Sequence, residues 1–201
     1  MCVIGIAMWY YKKTDVVVKV DVPVNLVFDY SDNVSINRPP IQKPVKHRAS
    51  YKYDEYDITP LATFQLEARV LGSKHYRVGR EADLSPVDLA LGWGMMSKDH
   101  VLGEIAITQS NRFYYWRVQQ FPVPQKVIET SSANMHMIAA NEAVRDALFN
   151  AKTGDVVKLK GFLVSINSDD GWNWNSSMTR NDTGKGACEV ILVDDFRIMQ
   201  L

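Results

Sequence analysis

The sequence predicts an α+β fold in which mostly antiparallel strands form a small curled sheet or barrel, with a few short helices. Three observations predict it. Runs of period-two alternation rich in β-branched and aromatic residues recur along the 201-residue chain, the pattern of half-buried strands. Only Glu142 to Ala151 carries a full helical stripe of apolar residues. The parity of apolar residues also changes across Gly161, as it does where a strand bulges or bends around a closed sheet.

Composition bounds the function classes. Lys plus Arg equals Asp plus Glu at 23 each, so no global field draws the chain toward nucleic acid, an unlikely partner on this ground. Cys2 and Cys188 stand at opposite ends of the chain without nearby Cys or His. Neither a disulfide framework nor a metal site is expected, and no cofactor is implied.

Taken in order, Cys2 to Tyr11 is almost wholly apolar and ends in Trp9, Tyr10, Tyr11, Lys12 and Lys13. An aromatic belt before basic residues is how a membrane span ends, yet the run is about half the roughly 20 residues a span needs. It reads either as a buried or docking strand or as a short membrane anchor. Val16 to Phe28 alternates strictly and predicts a strand, with Pro23 placing it at an edge or breaking it. Residues 31 to 57, with Pro39, Pro40 and Pro44, read as an extended arm rather than a core element. The organisation expected is therefore residues 1–13 as an apolar segment, 14–57 as strand and arm, and 58–201 as one domain.

Phe64, Leu66, Ala68 and Val70 form the most secure strand, closing at Gly72. Ser85, Pro86 and Asp88 fit N-cap and first-turn positions and predict a short helix from Pro86 to Leu91, stopped by Gly92. Ser97 opens a short turn through Leu102. Ile105 to Val118 is strand-like with a turn at Ser110 and Asn111, and Pro124 to Thr130 makes one or two helical turns. Asn134, His136 and Ile138 alternate with Met135, Met137 and Ala139, and Asn141 caps the stripe of Ala143, Val144, Ala147 and Leu148. Asp155 to Ile166 is a strand, Asp170 and Gly171 form a hairpin turn, Trp172 to Ser176 returns, and Ala187 to Val193 is a buried last strand.

Three groups of residues are able to carry chemistry. The loop holding Arg180, Asp182, Thr183, Gly184, Lys185 and Gly186 is dense in polar groups, and its amides and cations suit a small anionic ligand. Its alternative role is a turn whose side chains satisfy their own amides. Trp172 and Trp174 share one strand face and make either a stacking platform for sugars or bases, or core. His136 with Cys188 or Ser132 is the third group. A Cys188 and His136 pair, oriented by Asn134 or Asp182, has the logic of a cysteine hydrolase. Against it, Cys188 precedes the apolar run Val190 to Val193 and is expected to be buried and inert.

At Leu84 to Gly94 (LSPVDLALGWG), Phe113 to Arg117 (FYYWR), Ser132 to Ile138 (SANMHMI) and Asp170 to Glu189 (DGWNWNSSMTRNDTGKGACE) the chain resembles a group of uncharacterised bacterial proteins. The likeness covers about residues 60 to 195 and leaves out the Pro-rich arm. Such proteins often carry an amino-terminal hydrophobic segment, so the resemblance implies bacterial or phage origin and membrane association, and carries over no catalytic residue. Together these readings favour a noncatalytic binding or assembly module, in the cytoplasm or at a bacterial membrane. Its amino-terminal third docks on a protein partner or on a second copy. The rivals are a hydrolase using His136 with Cys188 or Ser132, and a small-barrel binder of nucleic acid or sugar built on Lys158, Gly161, Trp172 and Trp174.

Overall fold

The alternation at Phe64 to Val70 belongs to a strand far longer than its own span. In a computed structural model, which describes residues 34–46, 48–179 and 188–199, it runs from Tyr56 to His75. The elements are β1 (Ile41–Pro44), β2 (Tyr51–Tyr53), β3 (Tyr56–His75), α1 (Arg80–Leu84), β4 (Val87–Gly92), a 3₁₀ turn (Gly94–Ser97), α2 (Asp99–Leu102), β5 (Ile105–Ser110) and β6 (Phe113–Val118). There follow α3 (Gln125–Thr130), β7 (Ser132–Ala139), α4 (Glu142–Asn150), β8 (Val156–Ser168), β9 (Asn173–Asn175) and β10 (Glu189–Met199). The expected strand at residues 16–28 and the apolar segment at 2–11 lie outside the described residues.

Pairing follows β1-β3-β4-β7-β10-β8-β9, and β8 pairs back onto β3. The sheet is therefore curled, and among the described residues only β7 and β10 pair in parallel. Its enclosed face is lined from five strands by residues such as Phe64, Leu66, Leu89, Met135, Met137, Leu159 and Ile191, and α4 packs there through Val144 and Leu148. Asn141 caps that helix as predicted, its Oδ1 accepting from the Val144 amide at 3.0 Å, which satisfies one orphan donor. Ala143, expected on the apolar stripe, is exposed instead.

A second core lies on the opposite face, where Ile58, Phe162, Val164, Ile166, Val190 and Leu192 meet. Strand β8 thus buries both faces, odd residues in one core and even residues in the other. That corrects the expected bulge in β8 at Gly161. The extra residues sit on the two flanking strands, where the register shifts between Pro60 and Ala62 in β3 and between Val193 and Asp195 in β10. The shift in β3 is why Ile58 and Ala62, both even-numbered, face opposite cores.

Two further expectations are corrected. Residues 86–91 form no helix: Val87–Gly92 is strand β4, buried throughout and paired with β3 and β7. Burial between two strands outweighs a local capping signal, and Ser85 ends the preceding helix, its hydroxyl donating to the Val87 carbonyl at 3.2 Å. The arm is not wholly a linker either, because β1 pairs with Ala62–Gln65 and β2 forms a hairpin with Tyr56–Ile58. The β5–β6 hairpin, α2 and α3 enclose a third core around Leu71, Ala90, Met96 and Ile128. Among the described residues no helix is long and apolar enough to cross a membrane.

Candidate functional site

Strands β4 and β7 place Asp88 directly opposite His136, and in an antiparallel pair such partners share a face. Their neighbours Val87, Leu89, Met135 and Met137 enter the enclosed core, so Asp88 and His136 point out of it. They are nevertheless buried, with side chains 1% and 4% exposed. One Asp88 oxygen, Oδ1, lies 2.9 Å from His136 Nδ1. Among the described residues neither Nδ1 nor Asp88 Oδ2 has a hydrogen-bond partner.

The covering group is Arg112, at the tip of the β5–β6 hairpin. Ser110 pairs with Phe113 across a two-residue turn, and both turn residues are left-handed, Asn111 at φ 51° and Arg112 at φ 68°. That is the type I′ geometry, in which glycine normally takes the second place. A left-handed arginine costs about 1–2 kcal/mol, and its contacts offset that. Arg112 Nη1 donates to Asp88 Oδ1 and to the Ser85 carbonyl, each at 2.8 Å. Its amide donates to the Tyr76 hydroxyl at 3.0 Å, and its carbonyl accepts from Asn134 Nδ2 at 3.0 Å. Gln109 Nε2 completes the layer by donating to Asn134 Oδ1 at 2.8 Å. Burial raises the Tyr76 hydroxyl above its ordinary pKa.

A line of rings and guanidinium groups extends from this cluster. Arg112 stacks on Tyr76 at 3.8 Å and lies 5.9 Å from the Trp174 ring. Trp174 is 4.8 Å from the His136 ring and 6.2 Å from Trp172. Trp172 meets Tyr56 edge-on at 5.6 Å, and Arg80 sits over both rings. Such contacts stabilise by about 0.5–2 kcal/mol each. Both tryptophans are half-buried against the second core, so each keeps part of its ring at the surface.

Arg80 is held by Asp170 at 2.8 Å. Bonds from Arg80, the Ser168 hydroxyl and the Trp172 amide keep the Asp170 carboxyl well below the usual carboxylate range. A carboxylate favoured in the folded state adds stability above its unfolded pKa, about 3.9, and loses it as pH falls through the folded value. In a carboxyl-detected NMR titration Asp170 should therefore remain ionised below pH 3.9 by an easily measured margin. The Arg80→Ala variant should return it toward the ordinary range. An ordinary titration in the parent protein would remove this pair from the strip.

The sequence-predicted residues separate as follows. Ser132 lies four positions from His136 on the same strand, about 13 Å away at 3.3 Å per residue, and its hydroxyl is engaged by the Ile128 carbonyl at 2.7 Å and Tyr114 at 2.8 Å. Cys188 is only half-buried, against the expectation of a fully enclosed thiol, because it precedes β10 rather than sitting within it. Its Sγ lies 3.8 Å from the Arg112 carbonyl. Arg180, Asp182, Thr183, Gly184, Lys185 and Gly186 lie outside the described residues. The flanks of that loop meet, the Ser177 amide donating to the Cys188 carbonyl at 3.0 Å.

Asp88 and Arg112 were missed. The signals were a lone carboxylate inside the apolar VDLALG run, and an arginine where a two-residue turn ordinarily has glycine. Among the described residues no three His, Cys, Asp or Glu side chains gather as a metal site. No family model, no curated protein and no solved structure matches the chain.

Proposed function

We propose that the protein is a binding module that holds a small organic anion with a flat apolar portion on the face carrying Trp172 and Trp174. The observation that supports this most is the unbroken strip from Tyr76 and Arg112 through Trp174 and Trp172 to Arg80. Half-buried indoles offer stacking area at low entropic cost, and guanidinium groups beside them favour negative charge. The flanks of the loop that carries Arg180 and Lys185 meet through the Ser177 amide and the Cys188 carbonyl, and two cations in that loop would favour an anionic ligand.

Benzoate, with inorganic phosphate as the control for charge alone, is a suitable probe. In the parent protein, millimolar benzoate should shift the indole N–H signals of Trp172 and Trp174. Trp174→Ala, and separately Arg180→Ala with Lys185→Ala, should abolish the shift. The paired loop substitutions should alter stability by less than about 1 kcal/mol. Indole signals that ignore benzoate would sink the reading. So would a shift retained in every variant.

A further inference from the structure

His136 and Asp88 are more deeply buried than a recognition surface requires. Among the described residues nothing hydrogen-bonds His136 Nδ1 or Asp88 Oδ2. A buried polar atom without a partner costs about 1–3 kcal/mol, and catalytic work is one of the few reasons such an atom persists. The arrangement is that of a base and the group that holds it. A carboxylate 2.9 Å from Nδ1 helps to position the ring and leaves Nε2 for proton transfer.

With Nδ1 turned toward Asp88 on β4, Nε2 points away from that strand. Strand β10 flanks β7 on its other side, with Val190 in parallel register with His136. Cys188 stands two residues before Val190, and its Sγ lies 3.8 Å from the Arg112 carbonyl that Asn134, two residues before His136 on β7, also bonds. Diagonal neighbours at such an offset are about 7–8 Å apart, within reach for an imidazole and a thiol. Cys188 as a residue is half-buried rather than enclosed.

We propose that Cys188 is a nucleophilic thiol, that His136 is its base, and that Asp88 is the positioning residue of an acyl-transfer site acting on esters or thioesters. The Sγ proton passes to His136 Nε2 and the thiolate adds to the acyl carbon. The bond from that carbon to the leaving oxygen or sulfur breaks, and the leaving group takes the proton from Nε2. Water, deprotonated by Nε2, then cleaves the thioester and returns the thiol and a free acid. The step goes beyond recognition, and needs none of residues 180–187.

The test uses the full chain with Cys2→Ser, so that only Cys188 reports. Iodoacetamide at pH 6 should alkylate the native protein at least about tenfold faster than the urea-unfolded protein, because the thiolate is the reacting form. His136→Gln should remove that advantage. Asp88→Asn should reduce it and move the pH–rate profile upward, which a merely structural carboxylate would not do. Circular dichroism checks each variant, and if one fails to fold, the native-against-unfolded comparison in the parent decides alone. Native labelling at or below the unfolded rate overturns the proposal, as does a rate unaffected by His136→Gln. With p-nitrophenyl acetate, peptide mass analysis should find acetyl on Cys188, and fast alkylation without acetylation would overturn the acyl-transfer step. Benzoate shifts at Trp174 are independent of these outcomes, so recognition and chemistry fail separately.

Discussion

Replacing Gly161 by valine is expected to cost at least about 3 kcal/mol, the upper end of the range for overpacking a filled core. Gly161 lies within β8, between Phe64 of β3 and Val193 of β10. A Cβ built there would collide with the Leu192 carbonyl oxygen and come within 3.0 Å of Val193 Cα. These are backbone atoms of a paired strand, so relief requires β10 to move rather than a side chain to rotate. Alanine already makes the collision, and valine adds two methyl groups to it. The urea midpoint should fall with an unchanged slope, the signature of lost stability without a change in the unfolded ensemble. Gly154 is the useful contrast: nothing lies within 4 Å of its Cβ position, and only its φ of 99° penalises a side chain. Gly154→Ala should cost about 1 kcal/mol. If Gly161→Val melts with the parent protein, the close approach of β8 and β10 is not a constraint on the fold.

The same glycine marks how far sequence carries. Its apolar neighbours read as a change of parity, but β8 keeps one parity throughout, odd residues in one core and even residues in the other. Which strand carries the extra residue cannot be read from β8 alone, because it depends on the register of β3 and β10. Elements fixed by local chemistry were legible: the Asn141 cap, the short helix after Pro124 and, placed one residue early at Ser110 and Asn111, the turn of the β5–β6 hairpin. The segment at 86–91 was misread because its local chemistry and its environment conflict. Ser85, Pro86 and Asp88 look like a helix start, yet β3 and β7 bury the segment on both sides as a strand. Asp88 was thereby assigned to a helix cap and lost as a partner of His136. His136 itself stood out in sequence. Its partners come from positions 48 and 24 residues away, and only the pairing of β4 with β7 and the docking of the hairpin bring them together.

Arg112→Ala is expected to be the most damaging polar substitution in the described structure. Removing one member of a buried ion pair costs about 3–5 kcal/mol, because the other charge is left without compensation. Here the remaining member is Asp88, 1% exposed, with one oxygen already unpartnered. The loss should be partly recovered in Arg112→Gly. Glycine also deletes the guanidinium, but it accepts φ 68° without the penalty a Cβ brings, so it should be more stable than alanine by about 1 kcal/mol. The difference between the two variants isolates backbone strain, and the alanine value alone reports the pair. Asp88→Leu combined with Arg112→Leu should be milder than Arg112→Ala, since replacing both charges leaves neither buried alone. Urea unfolding measures all three. Amide hydrogen exchange should show protection lost first at Ile105–Ser110 and Phe113–Val118, because the arginine is the tip that docks this hairpin on the main sheet through Ser85, Asp88 and Tyr76. A hairpin that stays fully protected without Arg112 would mean that Ile105, Tyr114 and Trp116 alone hold it in place. The strained arginine would then have no stabilising role to explain it, and its position over Asp88 and beside Trp174 would have to be explained by what the site binds or does.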